Sequence, residues 1–451
     1  MSPAPRTALL AAAAIAAAVA TAGCSGEEPA ATAKSARATT ARTATAPAPR
    51  RLWVDQDSVG GPCRDARPAA EAANPRTPWC TMSRAVGVAP RNAVVYVRRG
   101  TYPRLGLDGE HRGGWVTLAA APREAVTIHG IELNRTDWVR FRHLRFTGAT
   151  NTIGFDNHHI EILDSDLTVA THVRPSSHLR FQGNRFHDLP GPPADSIDGV
   201  ALWIVNGNDG QTTDVVIRGN RFSRLKNDAV FTDGTRITID RNLFEHIQSP
   251  DNTWAHADVI QTQGAYDVHV TNNFATDNDS GILNSAAASH GWIIKNNLFI
   301  RSESQPIQLD NKLADLELVN NTFWGGGPVL LRWDPAAPRN RHTFVIANNI
   351  ATRMDIDPRL RESQSHNYVL LDPFHHPAQG PGSRLGVAPH FAAPARGDYR
   401  LRSGSPGIDA GTSRNAPRRD RAGNARLGAV DVGAYEYRPH ARLGVVSSGV
   451  R

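Results

Sequence analysis

The segment His256-Ala-Asp258-Val-Ile-Gln261 sets an imidazole two residues from a carboxylate at the head of an apolar run, and two cations, Lys226 and Arg332, stand beside other copies of that run. Removing a proton next to a carboxylate needs a base, a proton donor and a cation that stabilises the developing carbanion. His256 would be base or acid, Asp258 its carboxyl partner, and Lys226 or Arg332 the charge that neutralises the acidic group. Hydrolysis is the competing chemistry. Asp198, Asp228 and Asp258 open successive runs, and carboxyls one or two repeats apart span roughly 5–10 Å, which brackets the separations used in glycoside cleavage. Aspartates in that place also suit strand-start hydrogen bonds, the role expected of Asp198. Asp228, Asp233 and Asp258 together offer oxygen ligands for calcium. His256-x-Asp258 supplies two ligands for a transition metal, with no third evident in the sequence.

These residues are carried by a repeat. An apolar residue, two variable residues, Asn, one residue and a further apolar residue recur seven times, from Phe181-Gln-Gly-Asn184-Arg-Phe186 through Ile294-Lys-Asn-Asn297-Leu-Phe299 to Ile346-Ala-Asn-Asn349-Ile-Ala351. The asparagines Asn184, Asn220, Asn242, Asn273, Asn297, Asn321 and Asn349 are separated by 36, 22, 31, 24, 24 and 28 residues, a base period of about 22–24 with insertions. Apolar positions alternate within each unit, which specifies strand. A coil of short strands and tight turns closes on itself, and the next stacks about 4.8 Å above it by parallel pairing. The expected fold is therefore all-β, a parallel β-helix. Asn suits its turns because the amide bonds backbone and tolerates a left-handed conformation.

A second column carries the candidate chemistry. Period two places Val200, Val230, Ile260, Ile282, Ile307 and Val329 inside. The outward row beside them is then Ala201, Phe231, Gln261, Leu283, Gln308 and Leu330, followed by Trp203, Asp233, Gln263, Ser285, Asp310 and Arg332. Extra chain leaves the coils as loops at 189–197, 205–214 and 248–257, the last carrying Trp254 and His256. A sugar cleft needs flat apolar faces and polar groups at fixed spacing. Trp203, Phe231, Asp233, Trp254, Gln261, Gln263, Gln308 and Asp310 would supply them. The alternative is a plain solvated face with Trp203 covered by its own loop.

Composition agrees with a turn-rich solenoid: 451 residues hold 38 glycines, 30 prolines and only 3 methionines. The formal charge of +7 is partly an N-terminal matter, because Arg6 lies in an export signal (1–24) and residues 25–51 hold five positive and two negative charges. The balance left is too mild for a nucleic-acid groove, and no basic stripe with interleaved aromatics stands out. The run from Ala8 to Ala20 is too short to span a bilayer. Thr21, Ala22 and Gly23 before Cys24 resemble a bacterial lipoprotein cleavage box, with Cys24 lipidated, while an ordinary secretory signal is the alternative. Export is expected either way, to the outer face of the cell membrane or beyond it. Residues 25–51 lack aromatics and hydrophobic period and read as a disordered tether, and 438–451 as a flexible tail. Outside the cell Cys63 and Cys80 are expected to pair, a loop closure worth about 3 kcal/mol.

The opening segment, with Leu52-Trp-Val-Asp55, Pro78-Trp-Cys-Thr81 and Ala93-Val-Val-Tyr-Val-Arg-Arg-Gly-Thr-Tyr102, resembles that of many bacterial right-handed β-helix proteins of the pectin-lyase type. The close, Tyr399-Arg-Leu-Arg-Ser-Gly-Ser-Pro-Gly-Ile-Asp-Ala-Gly411 with Asp431-Val-Gly-Ala-Tyr-Glu-Tyr437, is similar to that of secreted members. The resemblance implies a right-handed coil over 52–437 and an association with polysaccharide, through lyases, hydrolases, uronate epimerases or non-catalytic surface proteins. His256-x-Asp258 is similar to a His-x-Asp-Gly-Ile-Gln motif of related chains, with Val259 at the glycine. Polygalacturonase Asp-Asp and Gly-His-Gly signatures and a pectate-lyase Arg-x-Pro-x-x-Arg motif are missing. The expected function is that of a monomeric lyase or epimerase acting on uronate-containing glycan. The rivals are a glycan-binding or envelope-structural lipoprotein and a hydrolase using the stacked aspartates.

Overall fold

The computed structural model describes residues 50–56, 62–189, 199–208, 210–250, 257–285, 288–333, 344–371 and 380–439, without the side chains of 310–312 and 362. Residues 1–24, expected as an export signal, nearly all of 25–51 and most of 438–451 lie outside the described residues. The chain begins its first strand at Arg51–Val54 and winds into a right-handed parallel β-helix. Three strands per coil build three faces. Sheet A contains 13 parallel strands, from Arg51–Val54 to Gln364–Ser365; sheet B includes Arg185–His187 and Leu243–Ile247, sheet C includes Leu202–Ile204 and Val230–Thr232, and B and C merge at the long strand Ile350–Ile356, which pairs on both. Helix α1 (Met82–Val88) and the buried Trp79 close the N-terminal end, pinned by the Cys63–Cys80 disulfide.

Inside, like side chains stack on like. Phe186, Phe222 and Phe244 pile ring on ring at 4.7 and 5.0 Å along sheet B. On sheet C the inner ladder runs Leu202, Val230, Ile260, Ile282, Ile307, Val329, all buried. The first rung corrects the sequence alignment: Leu202, not Val200, pairs with Val230, so Trp203 stands in the row of Phe231 and Gln261. A one-residue slip would exchange the faces, but a two-residue slip preserves them, so alternation alone could not detect it.

The turn from sheet A to sheet B is held by the Asn column. Each amide oxygen accepts the backbone N–H of the column residue one coil earlier, from Ser165 on Asn184 through to Asn349 on Asn367. Each Nδ2 of the asparagines donates to a carbonyl of the preceding coil, as Asn297 does to Val270 at 2.8 Å. The residue just before each column Asn has positive φ, including Gly183, Gly219, Arg241, Asn272, Asn296, Asn320, Asn348 and His366. A two-residue turn with one left-handed member follows, which is why Gly and Asn recur there.

In the later coils this left-handed Asn has a second use. Residues 387–437 fold back over the outside of sheet B, burying Tyr399, Leu401, Val432 and Tyr435 against Leu298, Ile300, Ile350 and Tyr368. Asn320 Nδ2 donates to the carbonyls of Asp431 and Gly433, Asn348 Nδ2 to that of Thr412, and Asn296 Oδ1 accepts from the buried side chain of Arg426. Arg426 pairs with Glu436 at 3.1 Å. Asp431 accepts the N–H groups of Asp409 and Tyr437, yet burial pushes its carboxyl up to about 6.

Two outcomes follow from these contacts. Asn297→Ala leaves the Asn273 N–H and Nδ2–H groups without their acceptor and should lower stability by about 2–5 kcal/mol, read as a lower urea midpoint. Arg241→Gly, at φ 54, removes an exposed guanidinium from Asp240, which keeps Arg218, Thr271 and Asn272, and should leave the midpoint unchanged or raise it. For Asp431 the raised folded pKa means that the protonated form favours the fold. Its contribution is full below about pH 4 and is lost as pH rises through about 6. The melting temperature of Asp431→Asn should therefore decline less than that of the unaltered protein across this interval.

Candidate functional site

The three outer faces differ in what they leave open. Sheet A is crossed by ion pairs within the face, Glu161 with Arg140 and Arg180, Asp240 with Arg218, and Glu317 with Lys295. An aromatic column on it stacks on itself, with Trp138 against His159 at 3.8 Å and His159 near His178 at 4.7 Å. The early coils of sheet B frame a trough of about 610 Å³ lined by His143, Arg145, Asp164, Asp166 and Arg185. Arg145 and His187 both hold Asp166 there, so much of its charge is internally matched. The later coils of sheet B are covered by 387–437.

Sheet C is different. His172, Trp203 and Phe231 occupy one outward position on three consecutive rungs, followed by Gln261, Leu283, Gln308 and Leu330. The His172 and Trp203 rings meet edge to face at 5.1 Å, and all three residues are half-buried. Arg174 lies over Trp203 at 5.9 Å and over Phe155 at 5.7 Å, and the Phe155 ring is 45% exposed. Gln261 reaches Ser285 at 3.4 Å, and Gln263 is exposed. A strip of rings thus grades into glutamines alternating with leucines at a spacing of about 4.8 Å per rung.

Asp233 stands on the same face, half-buried, and burial pushes its carboxyl upward. Its Oδ1 accepts the Asn206 N–H at 2.5 Å, Asn206 Nδ2 donates to the Asp233 carbonyl, and Asn206 Oδ1 accepts from Thr212. Asp233 therefore ties the base of the loop that follows Ile204 to the next coil.

Of the candidate proton-transfer set, the members among the described residues do not gather on this face. Asp258 is fully buried: its position in the strand turns it inward beside Ile260, and its N–H donates to Asp228 Oδ1 at 2.8 Å. Asp228 thus takes a strand-start hydrogen-bonding role of the kind foreseen for Asp198, which itself lies outside the described residues. Val200, not Asp198, holds the Asp228 position one coil earlier. The calcium set fails for the same reason of parity, since Asp228 and Asp258 face in and Asp233 faces out; among the described residues no group of three or more His, Cys, Asp or Glu could hold a metal ion. Arg332 is held by Asp355 at 2.6 Å and lies four rungs from the coil of Lys226, about 19 Å along the axis. Lys226 is exposed. Trp254 and His256 lie outside the described residues, as does the side chain of Asp310.

Sequence reading missed Phe155, His172 and Arg174, because they lie in coils before the first long insertion and carry no Asp-led run. Matching Thr171-His-Val-Arg174 with Leu202-Trp-Ile-Val205 would have found them.

A family model described as "Right handed beta helix region" matches residues 129–323. No curated protein matches the chain. Among solved structures it is similar to pectate lyase Pel9A, at 14% identity over 86% of this chain and 96% of that one with a TM-score of 0.45. It is similar also to a rhamnogalacturonan lyase, at 12% over 66% and 87% with a TM-score of 0.44. A third likeness is the native GH136 lacto-N-biosidase from Eubacterium ramulus, at 10% over 68% and 67% with a TM-score of 0.33.

Proposed function

We propose that this right-handed parallel β-helix protein is exported, anchored through a lipidated Cys24, and lays a uronate-containing polysaccharide along the outer face of sheet C. The observation that carries the reading is the run of His172, Trp203 and Phe231 on consecutive rungs, continued by Gln261. Rings at this spacing offer successive stacking surfaces to a polymer, and the amides beyond them offer hydroxyl partners. The Cys63–Cys80 disulfide supports a site outside the reducing cytoplasm. Elimination is the chemistry proposed for the face, with His256 as base and Asp233 as the carboxyl that burial shifts toward proton donation.

Geometry also favours a second reading. Asp258 is buried and Arg332 is already paired, which suits a face that binds glycan without cleaving it.

The test is incubation of residues 52–451 with a panel of acidic polysaccharides, following ultraviolet absorbance of unsaturated uronate product and, in parallel, affinity. A rise in absorbance that His256→Ala abolishes establishes elimination; binding with no product in any form establishes the second reading. In either case Trp203→Ala should weaken binding about tenfold or more with little change in melting temperature, since the ring is only half-buried. Unchanged affinity in that variant would remove sheet C as the binding face.

A further inference from the structure

We propose that Arg174 is the specificity-determining receptor for the carboxylate of the bound glycan, an inference that rests on sheet C being the binding face.

Arg174 is exposed, and its guanidinium touches two rings, Trp203 and Phe155, while making no side-chain hydrogen bond or ion pair with the described residues. Other arginines on and beside this face each hold a carboxylate of their own chain: Arg104 with Glu132, Arg135 with Asp108, Arg332 with Asp355, and Arg359 with Asp357. On the rungs either side of Arg174 the same position is taken by Gly154 and Val205, which carry no charge. Among the described residues the guanidinium thus keeps its five donors open beside the platform.

Two physical consequences make it a carboxylate receptor. The planar fork matches a carboxylate in a bidentate pair, with shorter and stronger hydrogen bonds than a neutral donor gives. Contact with the ring faces restrains a side chain that would otherwise lose rotamer freedom on binding, so the fork is set in place before the polymer arrives. A sugar ring seated against Trp203 would bring its acidic substituent to this group, whereas a neutral or esterified sugar would leave the guanidinium partly desolvated and unpaired.

The experiment measures affinity for polygalacturonate and for alginate, each as free acid and as methyl ester, and for dextran sulfate. The unaltered protein should prefer a free acid over its ester by about tenfold to a hundredfold. Arg174→Gln should abolish that preference while keeping the affinity for the ester, and Arg174→Lys should restore only part of it. Both variants should melt where the unaltered protein does, because the side chain is exposed. Equal weakening toward acid and ester in Arg174→Gln, or an undiminished preference, overturns the assignment. Dextran sulfate bound as tightly as the free acids, with the same dependence on Arg174, overturns the commitment to carboxylate. Failure of the binding face itself reads differently: Trp203→Ala then changes no affinity, or the unaltered protein binds none of these polymers.

Discussion

Everything in this molecule depends on one amide. The column Asn at the corner of sheets A and B accepts the N–H of its counterpart one coil earlier and donates to a carbonyl of that coil. Without it, each coil would bury unpaired backbone groups at a turn too tight to pair them by strand geometry. Because every rung offers the same donors and acceptors to the next, coils of unequal length can stack on a common axis. The intervals of 36 and 31 residues between column asparagines are accommodated by chain that leaves from other corners.

That constraint assigns the three faces their uses. Inward positions are fixed by stacking, so variation is confined to outward residues and to the loops. Sheet A uses its outward charges on itself. Sheet B carries the apolar outward residues Leu298, Ile300 and Ile350 where residues 387–437 cover it. Sheet C is left with rings and amides that nothing in the described chain covers fully, and a polymer fits a surface of regular rungs better than a closed cavity would.

The coil, its period and the structural part played by the Asn column were legible in the sequence, because a buried amide ladder tolerates little else and repeats itself visibly. The disulfide was legible from elimination of the third cysteine. A finer signal went unread. The later copies carry Asn-Asn, at 272–273, 296–297, 320–321 and 348–349, where earlier ones carry Gly-Asn or Arg-Asn. The second Asn of each pair serves the ladder; among the first, Asn296, Asn320 and Asn348 grip the closing segment. Doubling of the asparagine therefore marks the coils that are covered. The register of Trp203 was not legible, since a shift of two residues keeps every apolar side chain inside.

Residue type alone misled wherever parity or pairing decides. Asp258 and Asp233 are both aspartates near the head and foot of sheet C strands, but an even step from Ile260 turns the first inward and an odd step from Thr232 turns the second out. Arg332 and Arg174 are both arginines two residues beyond a position in the same outward row. Asp355 one rung away occupies Arg332, and glycine and valine flank Arg174. In a solenoid the neighbours that settle a side chain's chemistry lie one period away, not one residue away. A candidate site is therefore read from the rung above and the rung below, and on that reading Arg174, which no motif marked, is a cation of sheet C left without an ion pair among the described residues.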